Sequence, residues 1–144
     1  MPPQLTLLTT RLAAHLSRRL QSILHEADSD MVELLHAAFL LLCWGVWLTL
    51  PGDTFSSART YAPMARFGSE TTWGAVFGAL GLLQGLCVLD GRVSWRLLSA
   101  WLCLGAWLFI FSCFIVGNFW GVGVPFYLLF VGSASWVIWR LNRR

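Results

Sequence analysis

A chain of 144 residues that is 57% hydrophobic and only 12% charged, with a mean hydropathy of +0.66, does not have the make-up of a water-soluble domain. Such domains are nearer half apolar and a quarter charged, and a fold this small leaves too much surface exposed to hide the excess. The net charge of +3 comes from ten arginines and no lysine against seven acids; the arginines are scattered among apolar stretches, so no basic face for nucleic acid exists. The length allows one domain, with lipid as the solvent for part of it.

The chain opens on an amphipathic pattern. Leu5, Leu8, Leu12, Leu16, Leu20 and Leu24 recur every three or four residues, with Arg11, Arg18 and Arg19 between them. This predicts a helix over 5–25 whose apolar stripe is too interrupted to cross a bilayer. It is expected to lie in the membrane interface, leucines in the acyl boundary and Arg11, Arg18 and Arg19 toward anionic headgroups. Packing on the bundle or on a second copy is the alternative. With the acidic link His25–Asp30 it makes an N-terminal unit, 1–30, ahead of a transmembrane domain, 31–144. No cleavable signal peptide is apparent in the first 30 residues.

Four apolar runs follow, about 32–50, 71–89, 95–116 and 122–139. Each is close to the roughly 20 residues that a hydrocarbon core of about 30 Å requires. Asp30, three residues before Glu33, reads as the N-cap of the first. Glu33 and His36 sit one turn apart; they read as a proton-handling pair or, more simply, as interfacial residues within reach of headgroups and water. Pro51-Gly52 ends the run. In the 51–70 connection Asp53 suits the cap of a short helix, and Tyr61, Met64 and Phe67 give an apolar side expected to lie on the membrane surface.

Ser69 caps the second run, with Glu70 in its first turn, where the helix dipole favours a negative charge. Gly74, Gly78, Gly81 and Gly85 fall at offsets of 0, 4, 7 and 11 and share one face, which a second helix backbone can approach closely. The expected partner is the small-residue patch Gly132–Ser135 of the fourth run, or the same face of another copy. Gln84 borders this face, as a polar lining or as an interhelical hydrogen bond worth about 1 kcal/mol or less. Asp90–Ser94 is a tight turn, the uncharged 117–125 stretch another, and the chain ends on Arg140, Arg143 and Arg144.

If both termini are cytoplasmic, eight arginines (11, 18, 19, 92, 96, 140, 143, 144) lie inside and two (59, 66) outside, a clear positive-inside bias. Most tryptophans fall near run ends, as an aromatic belt would.

Catalytic chemistry finds little to stand on. All seven carboxylates lie at or outside the run boundaries, and the three histidines are confined to the N-terminal quarter. No catalytic residue, metal site or cofactor site is predicted, and the glycine-rich stretch has no phosphate-loop lysine. Cys43, Cys87, Cys103 and Cys113 lie in apolar runs without CxxC spacing and read as buried thiols. The intramembrane polar residues (Gln84, Ser99, Ser112, Asn118, Tyr127, Ser133, Ser135) include no carboxylate, histidine or arginine, which argues against an ion-coupled transporter acting as a monomer.

Between Tyr61 and Gln84 the order Tyr-x-x-Met, then Glu70-x-x-Trp73-Gly74, then a glycine-rich span resembles small uncharacterised four-span membrane proteins of tailed phages and prophages, some labelled holin-like. The resemblance extends loosely over 45–140 and brings no catalytic residue. It implies accumulation in the host inner membrane and opening of that membrane by self-assembly.

The expectation is therefore an all-α, integral membrane four-helix bundle with an N-terminal interfacial helix. It would be non-enzymatic, partnered by the lipid bilayer, and act through homo-oligomerisation. The alternatives are a membrane adaptor or subunit docked on a larger membrane complex, and an oligomeric small-solute channel or transporter.

Overall fold

The computed structural model describes residues 28–52, 54–57, 61–118 and 123–143. The expected helix carrying Arg11, Arg18 and Arg19 lies outside these residues, as does Asp53. All regular structure among the described residues is helical. Four helices among the described residues are long and apolar enough to cross a membrane: span 1 (Asp30–Thr49), span 2 (Glu70–Asp90), span 3 (Val93–Gly117) and span 4 (Gly123–Leu141).

Local chemistry sets the ends of span 2. Ser69 is extended (φ −72, ψ 161) and its hydroxyl accepts the Thr72 N–H at 3.2 Å, satisfying one of the first-turn donors. At the other end Gly91 takes φ 76, a left-handed conformation that costs glycine nothing, and returns its N–H to the Cys87 carbonyl at 3.0 Å. Span 1 begins differently from the expectation. Its helix is already under way at Asp28, so Asp30 is a helix residue rather than a cap, and its side chain is buried. Span 1 also changes pitch: Asp28–Ala38 is α-helical, Phe39–Val46 is π-helical, and Trp47–Thr49 returns to α.

The spans run up and down around a ring. Span 1 packs on spans 2 and 4, span 3 packs on the same two, and spans 1 and 3 face each other across the diagonal. The glycine face of span 2 is used, and within the chain its partner is span 1 rather than span 4. A Cβ added at Gly81 would sit 2.6 Å from the Ala37 carbonyl oxygen and the Leu41 nitrogen, and one added at Gly45 would sit 2.6 Å from the Gly78 Cα. Gly74 lies against Thr49 and the Gly45 carbonyl, with Gly85 more loosely on Ala37. The two faces belong to consecutive spans, and the 51–70 connection brings them together. The Gly132 and Ser135 positions do not join this seam: Gly132 has nothing near it and Ser135 is exposed, its hydroxyl turned back onto the Val131 carbonyl.

An aromatic layer fills the centre. Trp107 stacks on Phe130 (centroids 4.4 Å apart, 24° between planes) and Trp44 meets Phe77 edge-on at 5.5 Å. In lipid, dispersion between such close-packed groups takes over from the hydrophobic effect. The 51–70 connection closes one end of this layer instead of lying flat on the membrane. Met64 is fully buried, Tyr61 meets the Phe114 ring at 5.7 Å, and the Trp73 indole donates to the Met64 carbonyl at 3.1 Å. Glu70 accepts the Phe55 N–H. Phe67 alone of the expected apolar side stays largely exposed.

Candidate functional site

Asp30, Glu33 and His36 follow one another at three-residue steps and so share a helical face. That face is also the core face, continuing through Ala37, Leu40, Trp44 and Leu48, all buried. The two carboxylates and the imidazole therefore point into the bundle, away from headgroups and water. Opposite them, on the diagonal helix, stands Arg96, the fourth residue of the Val93–Asn118 helix. The arginine count places Arg96 on an aqueous flank; the fold buries it, and its guanidinium is what the acids meet.

The contacts are specific. Arg96 Nε donates to Glu33 Oε2 at 3.2 Å and Nη2 to Glu33 Oε1 at 2.5 Å, a two-pronged grip on one carboxylate. Nη2 also donates to Asp30 Oδ1. Glu33 has 0% of its surface exposed, and Asp30 and Arg96 are nearly as enclosed. Ser99, one turn further along span 3, is buried with its hydroxyl on the Arg96 carbonyl at 2.9 Å. Removing one partner of such an enclosed pair leaves an uncompensated charge costing about 3–5 kcal/mol, yet replacing the whole set with apolar side chains is often neutral. Stability by itself therefore does not account for two acids and an arginine at this depth.

The polar line continues inward. His36 Nε2 lies 2.9 Å from Ser133 Oγ on span 4, and Ser133 is itself 2.9 Å from the Leu129 carbonyl. Which of the two donates to the other is set by the imidazole tautomer. The His36 ring is held between Phe130 (centroids 5.4 Å) and Trp107 (5.9 Å). Trp107 is fully buried, and its indole N–H has no acceptor among the described residues.

Gln84 does not line this column. It is buried and its Oε1 accepts the Cys103 thiol at 2.9 Å, tying span 2 to span 3. Gly74, Gly78, Gly81 and Gly85 form the span 1 seam described above, and Gly132 and Ser135 face outward. The four cysteines are free thiols; three are buried, whereas Cys43 is exposed, unlike the expectation. Among the described residues no three His, Cys, Asp or Glu side chains are grouped to hold a metal.

The phase of the helix was the available signal for this cluster. Asp30, Glu33 and His36 fall in register with Leu40, Trp44 and Leu48, so the first span is amphipathic in the inward sense at its start. Arg96, flanked by Trp95 and Leu97, is likewise in register with Ser99, Cys103 and Trp107, all buried. No family model, curated protein or solved structure matches the chain.

Proposed function

We propose that the chain is a non-enzymatic, multi-pass membrane protein of the small-solute channel or transporter class, and that its pathway is the column Asp30–Glu33–Arg96 to His36–Ser133. The observation that carries this reading is the enclosure of four ionisable side chains within helices of membrane-spanning length. Such residues are expensive in a bilayer and mark ion or proton pathways. Sequence grounds spoke against a monomeric transporter because no ionisable group lies near mid-membrane; the burial of Glu33 and Arg96 inside the bundle, near the start of their spans, supports one instead. The carboxylates, the imidazole and the hydroxyl of this column can each hand on a proton: Asp30, Glu33 and His36 share one face of span 1, and the Ser133 hydroxyl meets His36 from span 4.

The test is proton movement. Purified protein in liposomes carrying a trapped pH-sensitive dye should dissipate an imposed pH gradient when the potential is clamped. Glu33→Gln and His36→Gln should each slow this at least tenfold. Wild-type liposomes as tight as protein-free ones would end this reading and leave the cluster as a lock between spans 1 and 3.

The phage-type, holin-like homo-oligomer rests on the resemblance between Tyr61 and Gln84, and the glycine face expected to join its copies is here filled by span 1. A bacterial inner membrane rests on the same resemblance, and an orientation with both termini cytoplasmic is supported by the arginine bias. At that end Arg140 and Arg143 lie over the Trp136 and Trp139 rings, 5.3 and 4.0 Å from their centroids, as snorkelling anchors do.

A further inference from the structure

At the end of the bundle away from the ionic cluster, the π-helical part of span 1 borders a cavity of about 360 Å³. That is within the roughly 300–1,000 Å³ of sites that hold organic ligands, and about the room of a dozen waters. Trp44, Leu48 and Phe39 form its apolar wall, and water would gain few hydrogen bonds against it. The exposed members of its lining are Leu42, Cys43 and Trp47, which places its mouth between them. Leu42 and Trp47 are each 60% exposed, and all three belong to the membrane-length helix Asp30–Thr49. The mouth therefore opens sideways, toward where the acyl chains of a bilayer would be. Among the described residues, the polar part of the wall is Thr54 and Tyr61 from the connection after span 1, with Tyr127 from span 4. Burial raises the Tyr61 phenol above its ordinary range, so its hydroxyl stays a neutral donor. A π-helical turn beside a cavity is a recurrent mark of a binding site, because the irregular pitch has a cost that packing alone does not explain.

We propose that this lateral pocket binds the acyl chain of a single bilayer lipid, entered between Leu42 and Trp47, with the oxygen-bearing end of the chain held by Thr54 and Tyr61. An aromatic lining with a few hydroxyls at one end is complementary to a molecule that is apolar along its length and polar at its tip. The ionic cluster plays no part in this inference, so the two readings stand or fall separately.

Cys43 supplies the assay, since it lies at the mouth and is the exposed thiol of the four. Full-length protein in mild detergent, stripped of co-purified lipid, is alkylated with N-ethylmaleimide while oleic acid is titrated in. Oleic acid should slow Cys43 alkylation at least tenfold and saturably, and butyrate at the same concentrations should leave it unchanged. Thr54→Trp, which fills the pocket from the loop side, should abolish the protection. Tyr61→Phe, which keeps the ring and removes the hydroxyl, should weaken it five- to tenfold and serves if Thr54→Trp does not fold. Native mass spectra of protein released from phosphatidylcholine nanodiscs should retain one lipid in the wild type and none in Thr54→Trp. Alkylation indifferent to oleic acid, equal protection by butyrate, or protection and lipid retention unchanged in a folded pocket variant would each overturn the assignment.

Discussion

Gly81→Ala adds one methyl group where the structure has no room for it. The new Cβ would lie 2.6 Å from two backbone atoms of span 1, the Ala37 carbonyl oxygen and the Leu41 nitrogen, and 3.0 Å from the Leu41 Cβ. Ordinary contact begins at 3.4 Å, and no rotamer change relieves a clash with backbone, so the helices must separate by about 0.8 Å. A gap of that size forfeits roughly a quarter to a half of each pairwise dispersion well along the seam. Overpacking of this kind costs typically about 1–3 kcal/mol, and the backbone partners put Gly81→Ala at the upper end. Gly45→Ala meets the Gly78 Cα at 2.6 Å and belongs with it. The controls lie on the same helix: a Cβ at Gly78 or Gly85 finds its nearest neighbour at 3.5 or 3.8 Å, ordinary contact, and these alanines should change stability by less than about 0.5 kcal/mol. Unfolding in mixed micelles with increasing sodium dodecyl sulfate, followed by circular dichroism, gives the four values. If Gly81→Ala is as stable as Gly85→Ala, the seam between spans 1 and 2 is not where the structure puts it. If Gly81→Ala unfolds normally but loses self-association, the glycine face joins copies of the chain instead.

Three other outcomes follow from the same geometry. Arg96→Met should destabilise by about 3–5 kcal/mol by leaving Glu33 and Asp30 without their cation, whereas Asp30→Asn, Glu33→Gln and Arg96→Met together should recover most of that loss; equal micelle unfolding of the single and triple variants would contradict the triad. Ser133→Ala removes the hydroxyl 2.9 Å from His36 and should cost about 1 kcal/mol or less, with a shift of the His36 ring resonances in the NMR spectrum; unchanged resonances would mean the two do not meet. Gly91→Ala places a Cβ at φ 76 and should cost about 1–2 kcal/mol, read by thermal unfolding in detergent, and a neutral result would require another turn between spans 2 and 3.

Helix content and the span boundaries were legible because they depend on quantities a sequence states directly: run length, the Ser69 and Gly91 ends, and the Pro51-Gly52 stop. Each expected boundary lies within two residues of the membrane-length span found, although the first helix itself is already under way at Asp28. The smooth face of span 2 was legible too, since four glycines at helical spacing are a property of one helix. Which helix fills that face is a property of two. Gly132, Ser133, Ala134 and Ser135 are as small as the residues of span 1 that meet it, but size does not say which way they point. In span 4 the inward pair is Ser133 and Ala134, leaving Gly132 and Ser135 outside.

The ionic cluster was hidden by a different ambiguity. A charged side chain within two turns of a span end can reach water along the outside or turn inward to a partner, and the two have the same hydropathy. What separates them is angle. Asp30, Glu33 and His36 are in phase with Leu40, Trp44 and Leu48, and Arg96 is in phase with Cys103, Trp107 and Ile110, so each set has to face the bundle if its apolar continuation does. Once both stripes face the centre, two like-charged carboxylates and one guanidinium begin their helices at the same end, on diagonal positions, with no water between them. Pairing is then the low-energy arrangement available to them. Apolar side chains in the same places would close the bundle without the cost of enclosing three charges, and it is this cost that supports the proposed pathway over packing alone.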